Sequence, residues 1–204
     1  MKLPQLHESV ILIDAEFLIK KIQENYDFYS DLYQDREFQK IRLADIIDIV
    51  ASSSRIVHPF ESVSVIILYK IGNDILPYTC EPNHLFTFND YVNKPMGCTI
   101  NDCNFEFASF FANPEYDNEY EYYEEFNQLL NTIAYDGNTF SISLVADNEY
   151  CNTQLENYDV ELDKSFFIFR GTDYEIGIDG SEKFSYVNFD YVIAMCMGLS
   201  QNEW

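Results

Sequence analysis

Ser9–Lys21, SVILIDAEFLIKK, changes character part-way along its length. Val10-Ile11-Leu12-Ile13 is a continuous aliphatic run, the pattern of a strand buried on both faces. From Asp14 the spacing becomes helical, with Ala15, Phe17, Leu18, Ile19 and Ile22 forming one stripe. A buried strand that turns directly into an amphipathic helix is the opening of an α/β unit. It leaves Asp14 and Glu16 at the strand end.

The rest of the chain repeats the theme. Residues 24–40, polar and aromatic by turns, either prolong the first helix or form a flap. Arg42–Ser53 is an amphipathic helix on Leu43, Ile46, Ile47 and Val50, stopped by Ser52-Ser53-Ser54. Ser62–Ile71 is a second buried strand. Residues 73–118 hold four of the six prolines and read as an irregular insertion with short strands of its own; CNFEFASFF within it fits a strand or a helix. Asn118–Ala134 is a helix whose first turns are acidic, matching the positive end of its dipole, and Tyr122, Phe126, Leu129, Leu130 and Ile133 are its buried stripe. Phe140–Ala146 is a third strand, followed by Asp147-Asn148-Glu149. Residues 151–158 add a short helix, and Ser165–Phe169 is a fourth strand. Residues 172–189, with Asp179-Gly180 between alternating runs, read as a hairpin. Phe189–Leu199 is an apolar closing helix. The whole predicts one α/β domain over residues 1–204: a three-layer sandwich around a mostly parallel sheet, with the 73–118 insertion and a C-terminal hairpin-helix. Ligands of such sheets bind at the carboxyl ends of the strands, where the first and third strands each deliver acids.

Composition narrows the function. The net charge is −23, and its distribution is uneven: residues 95–163 contain 15 Asp/Glu and no Lys or Arg. That surface repels phosphate and anionic lipid and attracts basic partners. No apolar run is long enough to span a bilayer, and the start lacks the apolar core of a signal peptide, so the expected location is cytoplasmic. The five cysteines include no CxxC pair, and with three histidines they make no zinc pattern; they are read as reduced thiols. Seven glycines and no Gly-rich loop argue against a nucleotide cradle, and no Ser-His-Asp order or GxSxG elbow occurs.

VILIDAEFLIKK, FSISLVADNEY and FDYVIAMCMGL together resemble three short segments of PIN-like and NYN ribonuclease domains. The resemblance implies a PIN-like, Rossmannoid fold. It implies that Asp14, Asp147 and Asp190 hold Mg²⁺ or Mn²⁺, with Glu16 or Glu149 supplying a further oxygen and Asp14 and Asp147 as the catalytic pair. Such a metal would activate water for attack on a phosphodiester. The chain departs from the pattern at Phe17, where NYN domains place a polar residue, and in its few cations, which a nuclease needs to hold substrate phosphates.

Read from the residues alone, an Asp after a buried strand is also an ordinary helix cap, and this holds for Asp14 and Asp190. The acids of 115–125 are a solvated face or a recognition surface, and interleaving with tyrosines favours the second, because Tyr is enriched at interfaces and receives Arg and Lys on its ring. Two functions follow. The first is an acidic binding protein, of inhibitor, immunity or nucleic-acid-mimic type, that meets a basic protein through Tyr116, Asp117, Glu119, Tyr120, Glu121, Tyr123 and Glu124. The second is a metal-dependent ribonuclease active within a complex that contains a basic subunit; direct nucleic-acid binding is not expected without such a partner.

Overall fold

The computed structural model describes residues 3–39, 41–54, 62–69, 96–100, 102–112, 119–147, 155, 162–171 and 184–200. Strand β1 (Ser9–Asp14) is followed without a gap by helix α1 (Ala15–Leu32), then α2 (Leu43–Ser53) and β2 (Ser62–Tyr69). An antiparallel pair, β3 (Met96–Ile100) and β4 (Cys103–Phe111), precedes α3 (Glu119–Ala134), β5 (Ser141–Val145), β6 (Ser165–Arg170), β7 (Phe184–Asn188) and α4 (Phe189–Cys196).

The sheet order is β3-β4-β2-β1-β5-β6-β7. All neighbours from β4 to β7 run parallel, and only β3 is antiparallel. Counted among themselves, the six parallel strands stand in the order 3-2-1-4-5-6, the doubly wound arrangement. Its reversal point lies between β1 and β5, and the crevice that such a reversal opens is at their carboxyl ends.

Pleating sends alternate residues of β1 to opposite layers. Ile11 and Ile13 join a core with Val63, Val65, Ile67, Phe105 and Phe107, covered by α1, α2 and α4. Val10 and Leu12 join a second core with Ile66, Leu68, Phe110, Ile142, Leu144 and Phe166, covered by α3. The apolar run at residues 10–13 is therefore apolar because each face has its own layer. With the sheet between them, the two helical layers make the three-layer sandwich that the sequence predicts.

Several expectations change in detail. Cys103–Phe111, expected inside an irregular insertion, is a strand of the main sheet, in register with β2 from Ser62↔Asn104 to Tyr69↔Phe111. The physical cause is its alternation: Cys103, Phe105 and Phe107 serve one core, Ala108 and Phe110 the other. Ile100 of β3 pairs with its Cys103, and Asp102 beside that pair takes φ 66, a left-handed conformation that Asp tolerates better than most side chains. Residues 24–32 continue α1, because Asn25 and Tyr29 are buried on its inner stripe. The chain then folds back, and the Tyr26 hydroxyl donates to the Gln39 carbonyl at 2.8 Å. Of the expected hairpin, Phe184–Asn188 is β7 and pairs parallel with β6, while residues 172–183 lie outside the described residues. Of the expected helix at 151–158 only Leu155 is described, and it is helical. Helix α4 ends before Leu199 because Gly198 takes φ 79, with its N–H donating to Met195 and that of Leu199 to Ala194.

One buried polar contact ties α2 to β5. The Ser143 hydroxyl donates to Ser54 Oγ at 2.7 Å, and Ser54 donates to the Val50 carbonyl at 2.7 Å, so both buried hydroxyl protons have acceptors. Among the described residues no helix is long and apolar enough to cross a membrane.

Candidate functional site

Asp14 stands at the carboxyl end of β1, beside the reversal point. It is 1% exposed. Its Oδ1 caps α1, accepting from the N–H of Glu16 at 3.0 Å and of Phe17 at 3.3 Å. In doubly wound nucleotide-binding folds a phosphate occupies the N-terminus of this first helix. Here the chain's own carboxylate takes that place, and the loop carries Asp-Ala-Glu rather than glycines.

The same oxygen meets α3. The Tyr122 hydroxyl lies 2.7 Å from Asp14 Oδ1 and 3.0 Å from the Leu68 carbonyl, so one hydroxyl proton faces two acceptors. Asp14 Oδ2 is buried without a hydrogen-bond partner. Burial pushes the Asp14 carboxyl up to about 7; the hydrogen bond from Tyr122 and the capping amides only partly oppose this, and the charge of Glu16 adds to it. Burial, then the charge of Asp14, raises the Tyr122 hydroxyl, which stays protonated. The polar link contributes about 1 kcal/mol. Each of the buried side chains Tyr122, Phe126, Leu129, Leu130 and Ile133 contributes roughly 1.5–3 kcal/mol, so apolar packing and not the link holds α3 to the sheet.

Register sets the neighbours of Asp14 at the described strand ends. Its partner on β2 is Leu68. Ile13 pairs with Val145, so Ala146 comes level with Asp14 on β5, and Leu68 and Ala146 both belong to the apolar core under α3. Asp147 is one residue further on and half-buried. Asp190 is on the opposite layer, in the first turn of α4, where it accepts from Asn25 Nδ2 at 2.8 Å and faces Lys21 Nζ at 3.5 Å. Burial lowers the Lys21 ammonium, but Glu24 and Asp190 outweigh it and the net shift is upward. Asn188, not Asp190, supplies the cap of α4, accepting from the Asp190 N–H at 3.0 Å. Among the described residues no group of three or more His, Cys, Asp or Glu side chains is placed to hold a metal ion. Glu149 lies outside the described residues.

Lys21 is engaged by Glu24 and Asp190 on the α1 layer. Arg170, at the end of β6, is buried with its guanidinium 4.0 Å from the centre of the Tyr186 ring. Cys103 and Cys196 are buried and in no disulfide. Burial pushes Cys196 up to about 12, which leaves it protonated and unreactive.

On α3, Glu124 is exposed and Glu121, Glu125 and Tyr123 are half-buried. Helical spacing puts Glu121, Glu124, Glu125 and Gln128 on one flank. Glu125 and Gln128, with Leu3, Leu129 and Thr132, line a small cleft of about 110 Å³ on that flank. Glu119 and Tyr120 are in the first turn of α3, their side chains undescribed, and Tyr116 and Asp117 lie outside the described residues. The contact of Tyr122 with Asp14, 108 positions apart, was invisible in the sequence; the only signal was a tyrosine on an otherwise aliphatic and Phe-bearing inner stripe.

Comparison of the chain with protein-family models, with curated proteins and with solved structures gives no match. The class that fold and site define is a doubly wound α/β protein whose first helix terminus is filled by its own buried carboxyl group.

Proposed function

We propose that the protein binds a basic surface of another protein, with the outer flank of α3 at the centre of the contact. The observation that carries this reading is the charge pattern of α3. Glu121 and Glu125 stand at i,i+4, Glu124 stands beside them, and neither the helix nor residues 95–163 contain a Lys or Arg. Like charges at that spacing cost a helix a few tenths of a kcal/mol per pair. The positive end of the helix dipole offsets part of this cost, and the acidic flank that results is complementary to charge brought by a partner. The net charge of −23 steers that partner in quickly and makes association sensitive to salt.

The test uses the intact protein, immobilised, with cytochrome c as a basic probe. Retention should fall steeply as salt rises from about 0.1 M, where charges are felt over roughly 10 Å, towards 1 M, where they are felt over roughly 3 Å. Glu121→Lys/Glu124→Lys should weaken retention more than Asp27→Lys/Asp31→Lys, which changes net charge equally on α1. Equal loss in both would reduce the effect to bulk charge and overturn the reading. The ribonuclease reading draws support from the partnerless Oδ2 of Asp14 at the sheet's reversal point. Mn²⁺-dependent cleavage of RNA, abolished by Asp14→Asn, would put it in place of the binding reading.

A further inference from the structure

The two helices that follow the ends of β1 and β7 lie side by side. The rings of Phe17 and Phe189 pack at a tilt with centres 5.6 Å apart, and Asn25 and Lys21 of α1 reach Asp190 of α4. Beyond these contacts each helix shows an apolar pair at i,i+4 spacing to solvent. On α1 these are Phe28, 60% exposed, and Leu32, 55% exposed; on α4 they are Tyr191, 46%, and Met195, 39%. The ring of Tyr29 on α1 is 5.0 Å from that of Phe28, and burial, then the charge of Asp190 on α4, raises its hydroxyl. Large apolar side chains gathered on one face mark an interaction site, and Phe, Tyr and Met are the types enriched in such contacts.

The charge beside this seam states what kind of partner fits. Residues 22–35 carry Glu24, Asp27, Asp31 and Asp35 and no Lys or Arg. Helical spacing sets Glu24, Asp27 and Asp31 in a row next to Phe28 and Leu32. At the two ends of the seam the cations are occupied: Lys21 by Glu24 and Asp190, and Arg36 by the Gly198 carbonyl and the rings of Tyr33 and Phe38. A second copy of this chain would bring the same acids and the same −23 charges, so self-association through this seam is opposed by repulsion.

We infer that the α1/α4 seam is a docking groove for an amphipathic helix of a partner protein, with aliphatic anchors set between Phe28, Leu32, Tyr191 and Met195 and with Lys or Arg along the flank that meets Asp27 and Asp31. A helix fits because the apolar pairs repeat at helical spacing on two neighbouring helices, the geometry in which a third helix packs its own i,i+4 ridge. The unbranched thioether of Met195 adapts to anchors of different shape. This surface is on the layer opposite α3, and the inference does not depend on the role proposed for α3.

The test measures fluorescence anisotropy of a labelled Leu/Lys amphipathic helical peptide titrated with the full chain. Phe28→Ser/Leu32→Ser should weaken binding by about tenfold or more, as removal of interface anchors does. Both side chains are exposed, so the fold should persist, and far-UV circular dichroism checks this. Asp27→Lys/Asp31→Lys should weaken binding similarly, while Glu121→Lys/Glu124→Lys on α3 should leave it within about twofold. A Leu/Glu peptide with the same apolar pattern, and a Lys/Ser peptide with the same charge, should both bind at least about tenfold more weakly. Unchanged binding in the Phe28/Leu32 variant, equal binding of the Lys/Ser peptide, or a dimer in sedimentation that this variant dissolves would overturn the inference.

Discussion

The two faces of the sheet are closed in different ways. One carries α1, α2 and α4 over a largely apolar core that includes the hydroxyl pair of Ser54 and Ser143, and its ion pairs, Lys21 with Asp190 among them, lie towards the rim. The other carries α3 alone among the described helices longer than one residue, and beneath it an ionisable group, Asp14, is buried against Tyr122. The difference teaches where solution conditions act. The first face depends on apolar burial, which pH barely touches. The second combines burial with a carboxyl group whose charge is disfavoured where it stands, so its hold on the sheet follows pH.

The comparison breaks most readily at Phe126, which is fully buried under α3. Phe126→Ala should lower stability in urea unfolding by about 3–5 kcal/mol. If the faces differ as described, hydrogen exchange in this variant should open α3 amides before those of α1. Simultaneous opening would make the two faces one cooperative unit.

Asp14→Asn comes next in size. The sign follows from the direction of the shift. The folded pKa of about 7 lies above the ordinary 3.8, so the folded state holds the proton more tightly than the unfolded chain. Stability from this group is full below about pH 4, is lost as pH rises towards 7, and is flat above; the complete loss is at most roughly 4 kcal/mol. Asparagine keeps the cap acceptor without the charge, so the variant should gain on the wild type between those pH values and hold a constant advantage above them. Urea midpoints across pH measure it, and a difference independent of pH would show that Asp14 is not the titrating group.

Tyr122→Phe should cost about 1–2 kcal/mol by removing the one hydroxyl donor that Asp14 Oδ1 and the Leu68 carbonyl share. It should also move the upper end of the Asp14 transition to higher pH, since the Tyr122 hydrogen bond favours the ionised form. The smallest effect sharpens the surface comparison: Glu121→Gln/Glu124→Gln/Glu125→Gln should raise stability by roughly 0.5 kcal/mol at low salt, and the gain should fade at high salt.

The layers themselves were readable, because strand and helix leave different periods. Val10–Ile13 announced a strand buried on both faces, and the stripe from Tyr122 to Ile133 announced α3. The cap role of Asp14 was readable from its place between a strand and a helix. The strand order was not, since pairing of β2 with β4 and of β1 with β5 joins residues far apart in the chain, and period alone carries no information on neighbours. Cys103–Phe111 was assigned to an insertion because prolines and asparagines surround it, although its alternation and the Asp102 turn were signals of a paired strand. Asp14 and Asp147 were expected as companions because both end strands. The step of one residue that brings Ala146 level with Asp14 depends on register, which only the assembled sheet defines.

The single proton of the Tyr122 hydroxyl gives that joint a sense of direction. When Asp14 is ionised, the hydroxyl points to Asp14 Oδ1 and α3 is moored to β1. When Asp14 takes up a proton on Oδ1, the carboxyl donates to the tyrosine oxygen, the hydroxyl swings to the Leu68 carbonyl, and α3 is tied to β1 and β2 at once. Titration therefore does not release the helix; it changes how many strands hold it, much as a ship rides to one line or to two.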